Sequence, residues 1–157
     1  MMQKTIRHQI IDAVTARLTV YPWQSASFTV IPGRTVFDPT ADPLPILALI
    51  PEREETTKGR YGVDDNSMPI TLSAILRLNL KEGEVESAIE LAEPVLGEVH
   101  KAACQAATHP TLIDLVDSID YTGGGVDQWP GEQGQTIVTV GISLTIRYST
   151  DTNNPYA

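Results

Sequence analysis

A chain of 157 residues with 41% hydrophobic content has the size of one domain and enough apolar surface to bury a core. Its net charge of −9 argues against a tight grip on nucleic acid, because phosphate affinity is built from Lys and Arg. No apolar run approaches membrane-spanning length, Met1–Gln9 lacks the apolar segment of a secretory signal, and the single cysteine excludes an internal disulfide, so folding in the cytoplasm is expected.

Taken in chain order, Ile6, Ile10, Val14 and Leu18 recur at helical spacing and predict an amphipathic helix over Thr5–Leu18, stopped by Tyr21-Pro22. Ser27–Ile31 reads as a short strand closed by the Pro32-Gly33 turn. Arg34–Asp38 then leads into a loop holding Pro39, Asp42, Pro43 and Pro45. The apolar run Ile46–Ile50, set between Pro45 and Pro51, is too short for a buried helix and predicts a strand covered on both faces. From Glu52 to Asn66 no apolar period survives, so a charged loop or a mobile hairpin tip is expected, either functional or disordered.

Ile70, Leu72, Ala74, Leu76, Leu78 and Leu80 alternate with polar neighbours, which is the pattern of a half-buried strand. Lys81-Glu82-Gly83 turns the chain into a main helix from Glu84 to Ala107. Its apolar stripe is Val85, Ala88, Ile89, Ala92, Leu96, Val99, Ala103 and Ala106. Pro94 inside this pattern deletes a backbone hydrogen bond and predicts a kink or a break. Cys104, among alanines, reads as a small buried hydrophobe. After His109-Pro110, Thr111–Tyr121 fits a short helix or the start of a strand, Gly123-Gly124-Gly125 reads as a turn, and Trp129-Pro130 falls in a polar loop. Gln135–Thr150 shows the longest alternation, with Val138, Val140, Ile142, Leu144, Ile146 and Tyr148 on one side. Two long amphipathic strands call for a shared sheet with helices over the apolar face. The expected fold is therefore a single α+β domain over residues 1–150. It has a mixed or antiparallel sheet of about four to five strands, two main helices on one face, and an extended C-terminal tail at 151–157.

The residues suggest no catalytic or metal site, and no cofactor is expected. His8, His100 and His109 fall on separate elements without ligand-spaced partners. Asp64-Asp65 are adjacent in the charged segment, where side chains point apart and cannot share a proton. Asp114, Asp117 and Asp120, spaced by three, would line one solvated face of a short helix. Gly123-Gly124-Gly125 lacks the following Lys and the strand-to-helix setting of a phosphate cradle. The candidate surface is instead one of contact, comprising Glu52, Arg53, Glu54, Glu55, Lys58, Arg60, Asp64 and Asp65 in the charged segment, with Asn154, Pro155 and Tyr156 in the tail. Mixed charges of this kind steer and register a partner, and Tyr156 offers contact area at low entropy cost.

The order of these features resembles the tail terminator (tail completion) proteins of long-tailed bacteriophages, the family that includes the lambda minor tail protein U. The resemblance runs through the first helix, Gly33-Arg34-Thr35-Val36-Phe37-Asp38, the Pro-flanked strand Pro45–Ile50 and the acidic segment Glu52–Asn66. It continues through the strand Ile70–Leu80, the long helix from Glu84, the segment Pro110–Asp114 and the closing strand ending in Ile146-Arg147-Tyr148. The tail beyond Thr150 is longer than in the lambda protein, and Pro94 has no counterpart. The resemblance implies a virion protein and not an enzyme. Such a subunit forms a hexameric ring with copies of itself on the head-proximal end of the tail tube, stops tube polymerisation, and meets neck or head-completion proteins. DNA would pass through the ring without specific binding, and no membrane is involved. The alternatives are a neck or head-completion connector, or a monomeric binding module.

Overall fold

The two alternating stretches pair with one another along their whole length. In the computed structural model, which describes residues 2–33, 44–79, 85–130 and 135–157, the long strands are β4 (Val63–Asn79) and β6 (Gln135–Asp151). They run antiparallel in unbroken register from Val63↔Asp151 to Asn79↔Gln135. Around them lie β1 (Thr29–Pro32), β2 (Ile46–Pro51), β3 (Glu55–Lys58) and β5 (Ser118–Pro130), with helices α1 (Ile6–Val20), α2 (Val85–Ala107) and α3 (Pro110–Ile113). The sheet order is β1-β2-β4-β6-β5, with β3 also on β4, so six strands stand where four to five were expected. β1 is parallel to β2 and the other pairings are antiparallel. This is the single α+β domain of the sequence reading.

The even-numbered side chains of β4 and β6 form the buried face. Met68, Ile70, Leu72, Ala74 and Leu76 meet Ile146, Leu144, Ile142, Val140 and Val138 in facing pairs. Ile10, Val14 and Leu18 of α1 close over them, with Val95, Val99 and four alanines of α2 (Ala92, Ala102, Ala103 and Ala106). The alanines let the α2 backbone approach the sheet closely. Thr5 caps α1 by accepting from the His8 N–H at 3.2 Å, and Tyr21, extended before Pro22, ends it. The expectation for Ile46–Ile50 holds, since Ile46, Leu47, Ala48 and Leu49 are all buried.

Several expectations are corrected. α2 runs through Pro94 without a break, and Pro94 is exposed, so the ring sits on the solvent side, away from the core. Cys104 is exposed, because Ala102, Ala103 and Ala106 already occupy the buried side of that turn. Gly123-Gly124-Gly125 and Trp129-Pro130 belong to β5, not to a turn and a loop. A bulge between Tyr121 and Gly123, with Gly123 at φ 153, switches the parity of β5. A Cβ on Gly124 would come within 2.8 Å of the Tyr121 hydroxyl, so its hydrogen makes room for a ring that stacks on His100 at 3.9 Å. Asp114, Asp117 and Asp120 do not share a helix face, because α3 ends at Ile113 and Asp120 is already in β5. The Arg34–Asp38 turn, the loop with Pro39, Asp42 and Pro43, and the Lys81-Glu82-Gly83 turn lie outside the described residues.

Leu72 and Ile142 face each other at the centre of the core. Truncating either to alanine is expected to lower the unfolding free energy by about 2–5 kcal/mol, whereas Arg53→Ala, at an exposed position, should change it by less than about 0.5 kcal/mol. Urea denaturation measures both, and a loss below half a kcal/mol at both core positions contradicts this packing.

Candidate interaction surface

Of the two expectations for the charged segment Glu52–Asn66, a loop or a hairpin tip, the structure shows the hairpin. β3 pairs with the first residues of β4, from Glu55↔Ser67 to Lys58↔Asp64, to make a hairpin. The sequence hides this because the alternation of β4 continues in polar residues: Asp64 and Asn66 occupy the same buried row as Met68 and Ile70. β2 and β3 share one side of β4 and are nearly one strand. Between the pairs Pro51↔Ile70 and Glu55↔Ser67 the outer strand advances four residues and β4 only three, so Glu52–Glu54 hold a one-residue bulge. This bulge puts Thr56 and Lys58 on the helix-side face, opposite Asn66 and Asp64.

The result is a polar end to the core. Lys58 Nζ donates to Asp64 Oδ2 at 2.9 Å, and the Thr152 hydroxyl donates to Asp64 Oδ1 at 3.3 Å. Thr56 Oγ1 donates to Asn66 Oδ1 at 2.8 Å, and Asn66 Nδ2 donates to Thr150 Oγ1 at 3.0 Å. The hydrogen bond from Lys58 is the main reason that the Asp64 carboxyl titrates below its ordinary value, with Thr152 and the Asn153 backbone adding to it against the cost of burial. Glu54 behaves oppositely. Burial raises its carboxyl, and Arg7, whose Nη1 stands 3.9 Å from Glu54 Oε1, offsets this only in part. Neither of those two atoms has a hydrogen-bond partner among the described residues. The other arm of Arg7, Nη2, donates to the Glu52 carbonyl at 2.9 Å and ties α1 to the bulge.

The C-terminal segment forms the remaining wall and is not extended. It turns back at Asn153 (φ 60), so that the Asp151 N–H donates to the Ala157 carbonyl at 2.7 Å. Pro155 O accepts from the Ile6 N–H at 2.8 Å, filling one of the orphan donors of α1, and the Thr152 N–H donates to Gly62 O at 2.8 Å. The tail thus clasps the first helix to the hairpin tip. Together these groups border an open cleft of about 590 Å³.

Of the residues singled out from sequence, Glu54, Lys58, Asp64, Asn154 and Pro155 meet at this cleft. Glu55 and Asp65 point to the opposite face of the sheet, beside Arg147 and Asp117. Glu52 accepts from the Thr71 hydroxyl at 3.2 Å, while Arg53, Arg60 and Tyr156 are exposed. Sequence reasoning missed Arg7, Thr56, Asn66, Tyr148 and Thr152. Only the continuing even-numbered alternation, Asp64, Asn66, Met68, could have pointed to them.

It also missed Tyr61. The hairpin tip is Gly59-Arg60-Tyr61-Gly62, where a Cβ at Gly59 would stand 2.1 Å from the Val63 carbonyl and Gly62 takes φ 78. Tyr61 itself lies in the left-handed region at φ 61 and is 99% exposed. That conformation costs an L-residue about 1–2 kcal/mol, and no packing among the described residues offsets it.

Among the described residues no three His, Cys, Asp or Glu side chains converge as metal ligands. Searched against known proteins, the chain matches no family model and no curated protein. Apart from the Arg7 and Glu54 atoms named above, the polar side chains described at the cleft are bonded to one another, an arrangement suited to fixing geometry.

Because the Asp64 carboxyl is lowered in the folded state, the unfolded chain binds the proton first as pH falls. The stability it contributes is complete above its ordinary value, 3.8, and is lost as pH falls below it towards the lowered value. Melting curves from pH 6 to about pH 2 should fall less steeply for Asp64→Asn than for the parent chain. Equal slopes would show that the Lys58 pair does not form. Removing Asn153–Ala157 should cost about 1–2 kcal/mol through the lost backbone hydrogen bonds and speed amide exchange at Ile6. Unchanged exchange at Ile6 contradicts the clasp.

Proposed function

We propose that this chain is a ring-forming structural subunit of the tail terminator kind, placed at the head-proximal end of a phage tail tube. The observation that carries the reading is the pair of dissimilar edges that the sheet leaves open. On one side stand β1, four residues long and ended by Pro32, and β3, whose four residues are all exposed. On the other stands β5, thirteen residues long, with no described strand on its outer side. A long open edge is a liability unless it is an assembly surface. Joining two different edges head to tail generates a ring where the rotation closes and an open filament where it does not. The element order on which the resemblance rests supports the same reading wherever residues are described.

Within this reading the protein holds no substrate. Its work is to end polymerisation by offering tube subunits one face and the neck another. The net charge of −9 per subunit, multiplied around a ring, suits a channel through which DNA slides without adhering.

Two measurements test the proposal. Native mass spectrometry, with and without tube protein from the same virus, should show a species six times the subunit mass. Added to polymerising tube protein, the chain should stop growth and be found at one tube end by electron microscopy. Tubes of unaltered length carrying no bound subunit would overturn it.

A further inference from the structure

We infer that the hairpin tip Arg60-Tyr61 is a docking knob that seats on the α3–β5 side of a second copy of this chain. The inference rests on the ring reading and adds to it the residues that join one subunit to the next.

Three observations meet at the tip. Tyr61 is held in a left-handed backbone conformation that an aromatic residue rarely adopts, and it is fully exposed. A strained, exposed aromatic that stabilises nothing in its own fold points to a role outside it. The tip is also braced. The Lys58–Asp64 ion pair closes its base at 2.9 Å, and the Thr152 N–H holds the Gly62 carbonyl at 2.8 Å. Such bracing presents Tyr61 already ordered, which spares entropy on binding. Finally, Lys58 is neutralised by Asp64, whereas the Arg60 side chain is exposed and has no ion-pair or hydrogen-bond partner among the described residues. The knob is therefore one tyrosine and one unpaired cation on a subunit of net charge −9. Tyr and Arg are the residues that most often carry interface energy.

The complement lies at the other side of the same sheet. Ile113 and Tyr121 leave apolar surface open there, and Asp114, which is exposed, follows Ile113 directly. β4 and β5 lie on opposite sides of β6, and Tyr61, 99% exposed, is not seated on the complement of its own subunit. Both lie towards the end of the sheet where β6 finishes, since Ser118 pairs with Arg147 and Val63 with Asp151.

The geometry dictates an asymmetric test with the full chain. Tyr61→Gly blocks the knob and relieves the strained backbone, so its melting temperature should not fall. Asp114→Lys blocks the complement. Sedimentation should show self-association weakened roughly tenfold or more for each variant. Mixed in equal amounts, the two variants should pair, because one intact knob and one intact complement remain, but they should stop at a heterodimer. If the parent chain forms rings and either folded variant forms them equally well, the knob is wrong and the ring reading stands. If the parent forms no ring alone or on tube protein, both fail.

Discussion

The antiparallel ladder between β4 and β6 is the constraint on which the rest of the molecule depends. Its facing even-numbered pairs fix the register, since a slip of one residue would turn every buried side chain to the other face. It is also longer than anything that covers it. Seventeen strand residues extend about 55 Å, whereas the fifteen residues of α1 reach only about 22 Å. The sheet must outrun its helical layer. Where it does so, the same buried row changes from Met68 and Ile146 to Asn66, Asp64 and Thr150, and the core ends in hydrogen bonds.

Two carboxylates at that end show how local geometry decides the sign of an electrostatic effect. Asp64 has direct contact with Lys58 at 2.9 Å and a second donor in Thr152, so its charged form is favoured despite burial. Glu54 is separated from Arg7 by 3.9 Å, beyond hydrogen-bond reach, and desolvation prevails. Glu98 on α2 shows the balance again. Burial alone would raise its carboxyl, yet donors from the Ser25 backbone and hydroxyl and from the Gln24 backbone, with Lys101 nearby, bring it below its ordinary value. That cluster pins the chain after α1 to α2, just as Thr152, bonded to the Asp64 carboxylate and the Gly62 carbonyl, pins the tail to the hairpin.

The hydrophobic pattern made the architecture legible and went silent where side chains were polar. Leu72, Ile142 and their neighbours announced the paired strands, because period-two burial needs no tertiary information. The same period continued through Asn66 to Asp64, but polar residues in a buried row look like a loop unless their partners are known. Those partners, Thr150 and Thr152, lie far along the chain. The glycines of β5 misled for a related reason. Their signal for a turn is local, whereas Gly124 is demanded by Tyr121 and the bulge beside it. The backbone strain at Tyr61 could not be read at all, since its neighbours, not its own identity, impose it.

Strain at the tip and acidity of the body bear on the same question of orientation. Two subunits of charge −9 repel at long range, and salt screens that repulsion beyond about 8 Å. What remains at contact is the arrangement of individual groups. Most random encounters place carboxylate against carboxylate and are rejected, which is specificity obtained by excluding the wrong registers. In the proposed contact, an encounter that brings Arg60 beside Asp114 would reverse the local sign and let Tyr61 bury its ring. Within that contact, an unpaired Arg60 meeting an acidic partner would favour one orientation over a uniformly mixed surface, which offers several acceptable registers. The bracing by Gly59, Asp64 and Thr152 keeps that cation and ring in a fixed relation to the sheet. In the proposed ring, the rigid ladder would set the angle between successive copies.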